Sequence, residues 1–251
     1  MSALYRVLRA ELLKLHRTLA FWMILIAPAV VLLLTFLMFH ERSAFYLKMN
    51  HPLWQTIQSN TFSLWCILML PLYVTLQTAL LGTLEHTEGR WRNLLALPVS
   101  RPLLYFVKLL IPWAMVTLSS YVLTFGTVCA GLALRTLKPE LQFPAPLPWS
   151  TATHDALLAS VAGLFLAAIH QWASLRFSSF AASVGFGMSA TIAGFVVVNS
   201  AKYGPWWPWC LGVQFLSKRP GATEQALWYA AIGALVLTIA GTIDFSRREM
   251  R

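Results

Sequence analysis

The polar side chains best placed to do chemistry in this chain are Gln77, the adjacent pair His170 and Gln171, and Asn199, each set within a long stretch that contains no Asp, Glu, Lys or Arg. A titratable group in apolar surroundings becomes an acid, a base, a proton relay or a metal ligand only when suitable partners stand beside it. No carboxylate accompanies His170 in its stretch, and neither a His-x-x-x-His nor a His-Glu pair lies in any of these stretches. A lone His beside a Gln is the pattern of hydrogen bonding between helices, so the four residues are expected to line a polar pathway or to pack. Catalysis would require His170 to matter. The three cysteines, Cys66, Cys129 and Cys210, have no metal-ligand spacing and suggest no disulfide framework. None of the six lysines follows a Gly and precedes a Ser or Thr, so there is no phosphate loop, and the chain is not expected to hydrolyse ATP, bind a cofactor or metal, or act as an enzyme by itself.

The elements that hold these residues follow from composition. Hydrophobic residues make up 58% of the 251 and charged ones 11%, against roughly a quarter charged in a soluble domain. The apolar residues are gathered into uncharged runs long enough to cross a bilayer, with no ten-residue alternation of the kind that marks barrel strands. The expectation is therefore an all-α integral membrane protein forming a single transmembrane domain over residues 1–251, with spans at about 20–39, 62–84, 105–134, 156–175, 178–201 and 225–243. The first run is longer than the apolar core of a signal peptide and no A-x-A-like site follows it, so it is read as a retained span. Twelve of the 19 Lys and Arg fall on the side of the termini, which predicts that both termini are cytosolic.

Ahead of the first span, Leu4, Leu8, Leu12, Leu15 and Leu19 recur at three- and four-residue intervals, with Arg6, Arg9, Lys14 and Arg17 on other faces. The spacing predicts an amphipathic helix over 3–19 lying along the membrane surface. The net charge of +10 is divided among short flanks of the spans, which points to phospholipid headgroups rather than nucleic acid. Only about one residue, Arg176, separates the fourth and fifth runs, so a tight hairpin is expected, with Ser178 or Ser179 capping the second helix. Small residues, among them Gly187, Gly194, Gly233 and Gly241, would permit close helix approach. Of the segments on the far side, 139–148 holds four prolines and excludes regular helix, and 203–217, rich in Trp and Pro, reads as an interfacial or re-entrant element that anchors or gates.

The connection between the second and third spans, 85–104, is the most informative stretch. Trp91, Leu94, Leu95 and Leu97 against Arg90, Arg92 and Asn93 predict a short amphipathic helix stopped by Pro98, and Ser100 is placed to cap the helix that starts near Pro102. Such a unit can fit a partner's groove and pass its displacement to the attached spans. The run Glu88-Gly89-Arg90, then Leu94-Leu95-Ala96-Leu97-Pro98-Val99-Ser100-Arg101, then Leu104-Tyr105 and Lys108, resembles the same loop of ABC-2 type permeases, in particular the small six-span permeases of the bacitracin-resistance and lantibiotic-immunity type.

The resemblance implies a coupling helix docking on a cytosolic ATPase through Glu85, Glu88, Gly89, Arg90, Leu94, Leu95, Leu97, Pro98, Ser100 and Arg101. It implies an exporter in the bacterial cytoplasmic membrane, with ATP and Mg bound by two separate ATPase subunits and with a second copy of this chain or a similar permease as partner. The cargo expected is hydrophobic or amphipathic: a peptide, a lipid or a drug-like molecule. The alternative is a channel or scaffold subunit that works without an ATPase.

Overall fold

The structure, a computed structural model, describes residues 3–15, 18–48, 52–86, 99–141, 143–144, 149–177, 179–217 and 219–247. Among these residues there is no strand, and six helices are long and apolar enough to cross a membrane. In chain order the helices are α1 (Ala3–Leu15), α2 (Leu19–Glu41), α3 (Ser43–Lys48), α4 (Leu53–Leu64), α5 (Leu70–His86), α6 (Arg101–Leu137), α7 (Trp149–Arg176), α8 (Phe180–Val197), α9 (Leu211–Phe215) and α10 (Ala222–Arg247). The second span is α4 and α5 joined by a π-helical turn, Trp65–Met69, in which the Leu70 N–H reaches back to the Trp65 carbonyl. Pro71 follows at once and has no N–H to offer, so the wide turn lies where the ordinary ladder is already broken.

In hydrocarbon every polar group needs a partner inside the protein. The hydroxyls of Thr61, Thr75, Thr78, Ser120, Thr124, Thr127, Ser160 and Thr191 each donate to the carbonyl one turn back. That leaves the spans free to pack through shape. The middle of the bundle joins α2, the second span, α6 and α7 through Val31, Phe62, Trp65, Tyr73, Val116 and Leu166. At one end Val7, Leu15, Leu104, Tyr105, Leu175 and Phe245 gather α1, α6, α7 and α10. At the other, Phe39, Trp54, Leu134, Leu141 and Phe143 join α2, α4 and α6, and Trp54 Nε1 donates to the Pro144 carbonyl at 2.7 Å. Helix α6 reaches all three clusters.

Ser179 occupies the N-cap position of α8 but makes no side-chain cap bond. Beyond the short connection, α8 packs chiefly against α5 rather than along α7. Gly187 is the reason: a Cβ there would overlap Thr75 Oγ1, and His170 Cε1 would lie at 2.6 Å. The Trp-Pro segment is folded into the bundle and does not lie across it. Leu211 is wholly buried, Trp209 and Cys210 nearly so, Trp207 Nε1 donates to the Ala190 carbonyl at 3.0 Å, and Cys210 Sγ contacts the Gly194 carbonyl at 3.4 Å.

Gly241 of α10 faces the Tyr105 ring so closely that a Cβ would overlap the phenol oxygen, whereas Gly185 meets nothing within 4 Å. Gly241→Val should lower stability by about 1–3 kcal/mol through overpacking, and Gly185→Val should stay within about 0.5 kcal/mol of the parent. Thermal unfolding in detergent, followed by tryptophan fluorescence, measures both.

Candidate functional site at the root of the α5–α6 connection

Lys108 lies two turns inside α6 and is only 7% exposed. Its Nζ lies 3.4 Å from Glu11 Oε1, and the same oxygen accepts from Lys14 Nζ at 2.8 Å. Glu11 belongs to α1, where Val7, Glu11 and Leu15 follow one another turn by turn on the buried side. The leucine stripe expected from spacing is thus divided: Leu15 is buried and Leu8 half-buried, while Leu4, Leu12 and Leu13 face away from the bundle. Charge pairing has set the docked face, because a lysine withdrawn from water needs its carboxylate close by. One turn further on, Pro112 offers no N–H to the Lys108 carbonyl, so the ladder is open just above the pair. The cleft between Glu11, Lys14, Leu81, Gly82, Lys108 and Gln171 encloses about 20 Å³, room for roughly one water and no larger ligand.

The first turns of α6 are fastened on their other side to α10. Arg101 Nη1 donates to the Ser246 carbonyl at 2.8 Å, and the wholly buried Tyr105 ring packs on Phe245 at 5.8 Å and over Gly241. Arg176, ending α7, donates to Asp244 Oδ1 of α10 at 2.7 Å and lies over the Trp172 ring at 5.1 Å. Arg101 and Arg176 hold their contacts near solvent, where such bonds orient more than they stabilise. The Glu11–Lys108 pair is withdrawn from water, and loss of the Glu11 carboxylate would take one contact from a buried lysine. Together these contacts join the start of α6, the second half of α1 and the ends of α7 and α10 into one block.

Of the residues expected to couple, Glu88, Gly89, Arg90, Leu94, Leu95, Leu97 and Pro98 lie outside the described residues, as does the helix expected over 90–97. Glu85 is in the last turn of α5. Ser100 sits at the N-cap position of α6, but the bond is made by its backbone, whose carbonyl accepts from Leu104 N–H at 3.1 Å; its hydroxyl makes no cap bond. Arg101 opens the helix.

The structure does not gather the four intramembrane polar residues. Asn199 is exposed beyond the end of α8. Gln77 is wholly buried, with neither amide atom in a hydrogen bond of good geometry. Gln171 lines the small cleft. His170 Nε2 lies 3.3 Å from Thr75 Oγ1, and that hydroxyl also donates to the Pro71 carbonyl at 2.8 Å. Phe186 and Trp209 close on its ring at 5.7 and 5.6 Å. Glu11 was not marked by any sequence motif, and Tyr105 and Lys108 stood only within the run that carries the loop resemblance. The pairing of Glu11 with Lys108 left no local signal, because Glu11 also has Lys14 one turn away.

The sequence matches, over residues 7–194, the family described as ABC-2 family transporter protein. That stretch holds the buried side of α1, the α5–α6 connection and all of α6. No curated protein and no solved structure matches the chain.

Glu11→Ala should destabilise the protein by about 3 kcal/mol, because it removes a carboxylate that faces a buried lysine, and the double change Glu11→Ala with Lys108→Met should recover part of that loss. A double-mutant cycle on denaturation in micelles measures the coupling. Additive effects would mean that the two charges do not sense each other.

Proposed function

The chain belongs to the ABC-2 transporter family, a permease subunit of an ABC transporter, and we propose that it works as an exporter driven by ATP hydrolysed on separate subunits. Two permease copies, or this chain and a similar permease, pair with two ATPases in the bacterial cytoplasmic membrane, both termini facing the cytosol. The ATPases bind ATP and Mg and supply the work. The loop from Glu85 to Arg101 receives their movement, with Leu94, Leu95, Pro98 and Arg101 as the docking positions. The cargo is a hydrophobic or amphipathic peptide, lipid or drug-like molecule.

The observation that carries this reading is the fastening of α6 immediately after the loop. A displacement delivered at Arg101 reaches α10 through Ser246 and Tyr105. It reaches α1 through Lys108. Because α6 is a single helix from Arg101 to Leu137, the same displacement tilts its far end against α2 and α4. Exchange between inward and outward openings is then a rigid-body change biased by the state of the ATPases.

Co-purification with the ABC ATPase produced alongside it provides the test. Leu94→Asp and Arg101→Glu should each weaken association and cut permease-stimulated ATP hydrolysis by about tenfold or more, the scale expected for a charge mismatch in a docked interface. Association and stimulated hydrolysis at parental levels in both variants would overturn the coupling role and favour a subunit that works without an ATPase.

A further inference from the structure

At the end of the bundle opposite α1, a cavity of about 90 Å³ lies between the Trp-Pro segment and the start of α10. It is several times roomier than the cleft beside Glu11 and holds a group equal in bulk to several waters. Pro205, Gln214, Arg219, Pro220 and Gln225 line it; Arg219, Pro220 and Gln225 are exposed, so the cavity opens at the surface, and the one charge among the described lining residues is a guanidinium.

Arg219 Nη2 donates to Gln214 Oε1 at 3.1 Å, and Gln214 is itself only 4% exposed. That bond aims the guanidinium and uses one of its five donors. Among the described residues no carboxylate lies within ion-pair distance of Arg219, and the Gln214 side chain makes no other hydrogen bond, so its amide NH₂ remains available at the cavity wall. The 26-residue helix α10 begins on the same wall at Ala222, adding the positive end of its dipole. Glu224, in its first turn, is not among the lining residues.

The depth of the cavity is marked independently. Tyr203, Trp206 and Trp228 are each more than half exposed around it, and Tyr229 donates to the Trp206 carbonyl at 2.8 Å. Exposed Trp and Tyr at the end of a bundle sit at the level of lipid headgroups. An aimed guanidinium, a buried amide donor and a helix start converge on one cavity at that level, a donor set suited to phosphate oxygens.

We propose that this cavity is a phosphate-binding site, occupied by the headgroup of an anionic phospholipid in the leaflet away from α1. The site stands on its own residues and does not depend on the ATPase reading. The full chain in detergent, titrated with phosphatidylglycerol and with phosphatidylcholine under native mass spectrometry, tests it. Phosphatidylglycerol should bind, and Arg219→Gln should weaken it by about tenfold or more. Gln214→Glu, which puts a carboxylate beside Arg219, should do the same. Lys202→Gln, changing an exposed cation that instead lies over Tyr203, should leave binding unchanged. Inorganic phosphate as competitor separates the sources. Arg219-dependent displacement by phosphate alone shows that the bare anion is recognised, and resistance to it shows that the lipid is required; either supports the site. Equal phosphatidylglycerol binding by the parent and Arg219→Gln, or equal loss in all three variants, overturns it.

Discussion

Lys108 carries a charge inside a bundle of apolar helices, and the carboxylate that faces it comes from α1, ahead of the first span. Parting the two takes a carboxylate away from a lysine buried in a poor solvent, so the contact holds the two helices in a common position. Much of the neighbouring geometry follows. Val7 and Leu15 are buried because they share a side of α1 with Glu11, and Leu4 and Leu12 face outward for the same reason. With Lys108 held, Tyr105 and Arg101, one and two turns nearer the loop, are presented to α10, where Gly241 leaves space for the ring. A helix of 37 residues, roughly 55 Å long at 1.5 Å per residue, then joins this block to the Trp54 end of the bundle.

The opposite end is closed by different means. Trp207 and Trp209 are wedged between α7 and α8, one held by the Ala190 carbonyl and the other set against His170 and Phe186. Among the described residues neither the indole N–H of Trp209 nor the amide of Gln77 makes a hydrogen bond of good geometry. Buried donors without acceptors raise the free energy of the state that contains them. This end is held by ring packing together with the Trp207 bond, the Cys210 contact to the Gly194 carbonyl and the Tyr229 bond to the Trp206 carbonyl. Movement at the α1 end must work against this wedge to open the far side.

The six spans were legible in the sequence because charge is excluded from hydrocarbon, and their absence of charge marks them without reference to any contact. The same signal does not say why Lys108 is tolerated inside the third span, because Glu11, which faces it, is 97 residues away. For the same reason leucine spacing described α1 as a surface helix and missed the stripe that docks. The π-helical turn beside Pro71 and the insertion of the Trp-Pro segment depend on what faces them, Gly212 on Cys66 and Gly187 on Thr75, and no local pattern records such pairs. Of the loop itself, the sequence supplies composition and resemblance, and the structure supplies its root at Ser100 and Arg101.

The central claim is that motion at the loop reaches the far end of the bundle through the fastened start of α6. Spin labels at Leu137 and Tyr203, both exposed and both at the end away from α1, report that motion by pulsed electron–electron distance measurement in the reconstituted complex with its ATPase. The account predicts one distance distribution without nucleotide and a shifted one when the ATPases are trapped with ATP, and it predicts a smaller shift when Glu11→Ala and Lys108→Met together loosen α1 from α6 in a protein that still folds and still binds the ATPase. A shift of the same size in the loosened protein would contradict it.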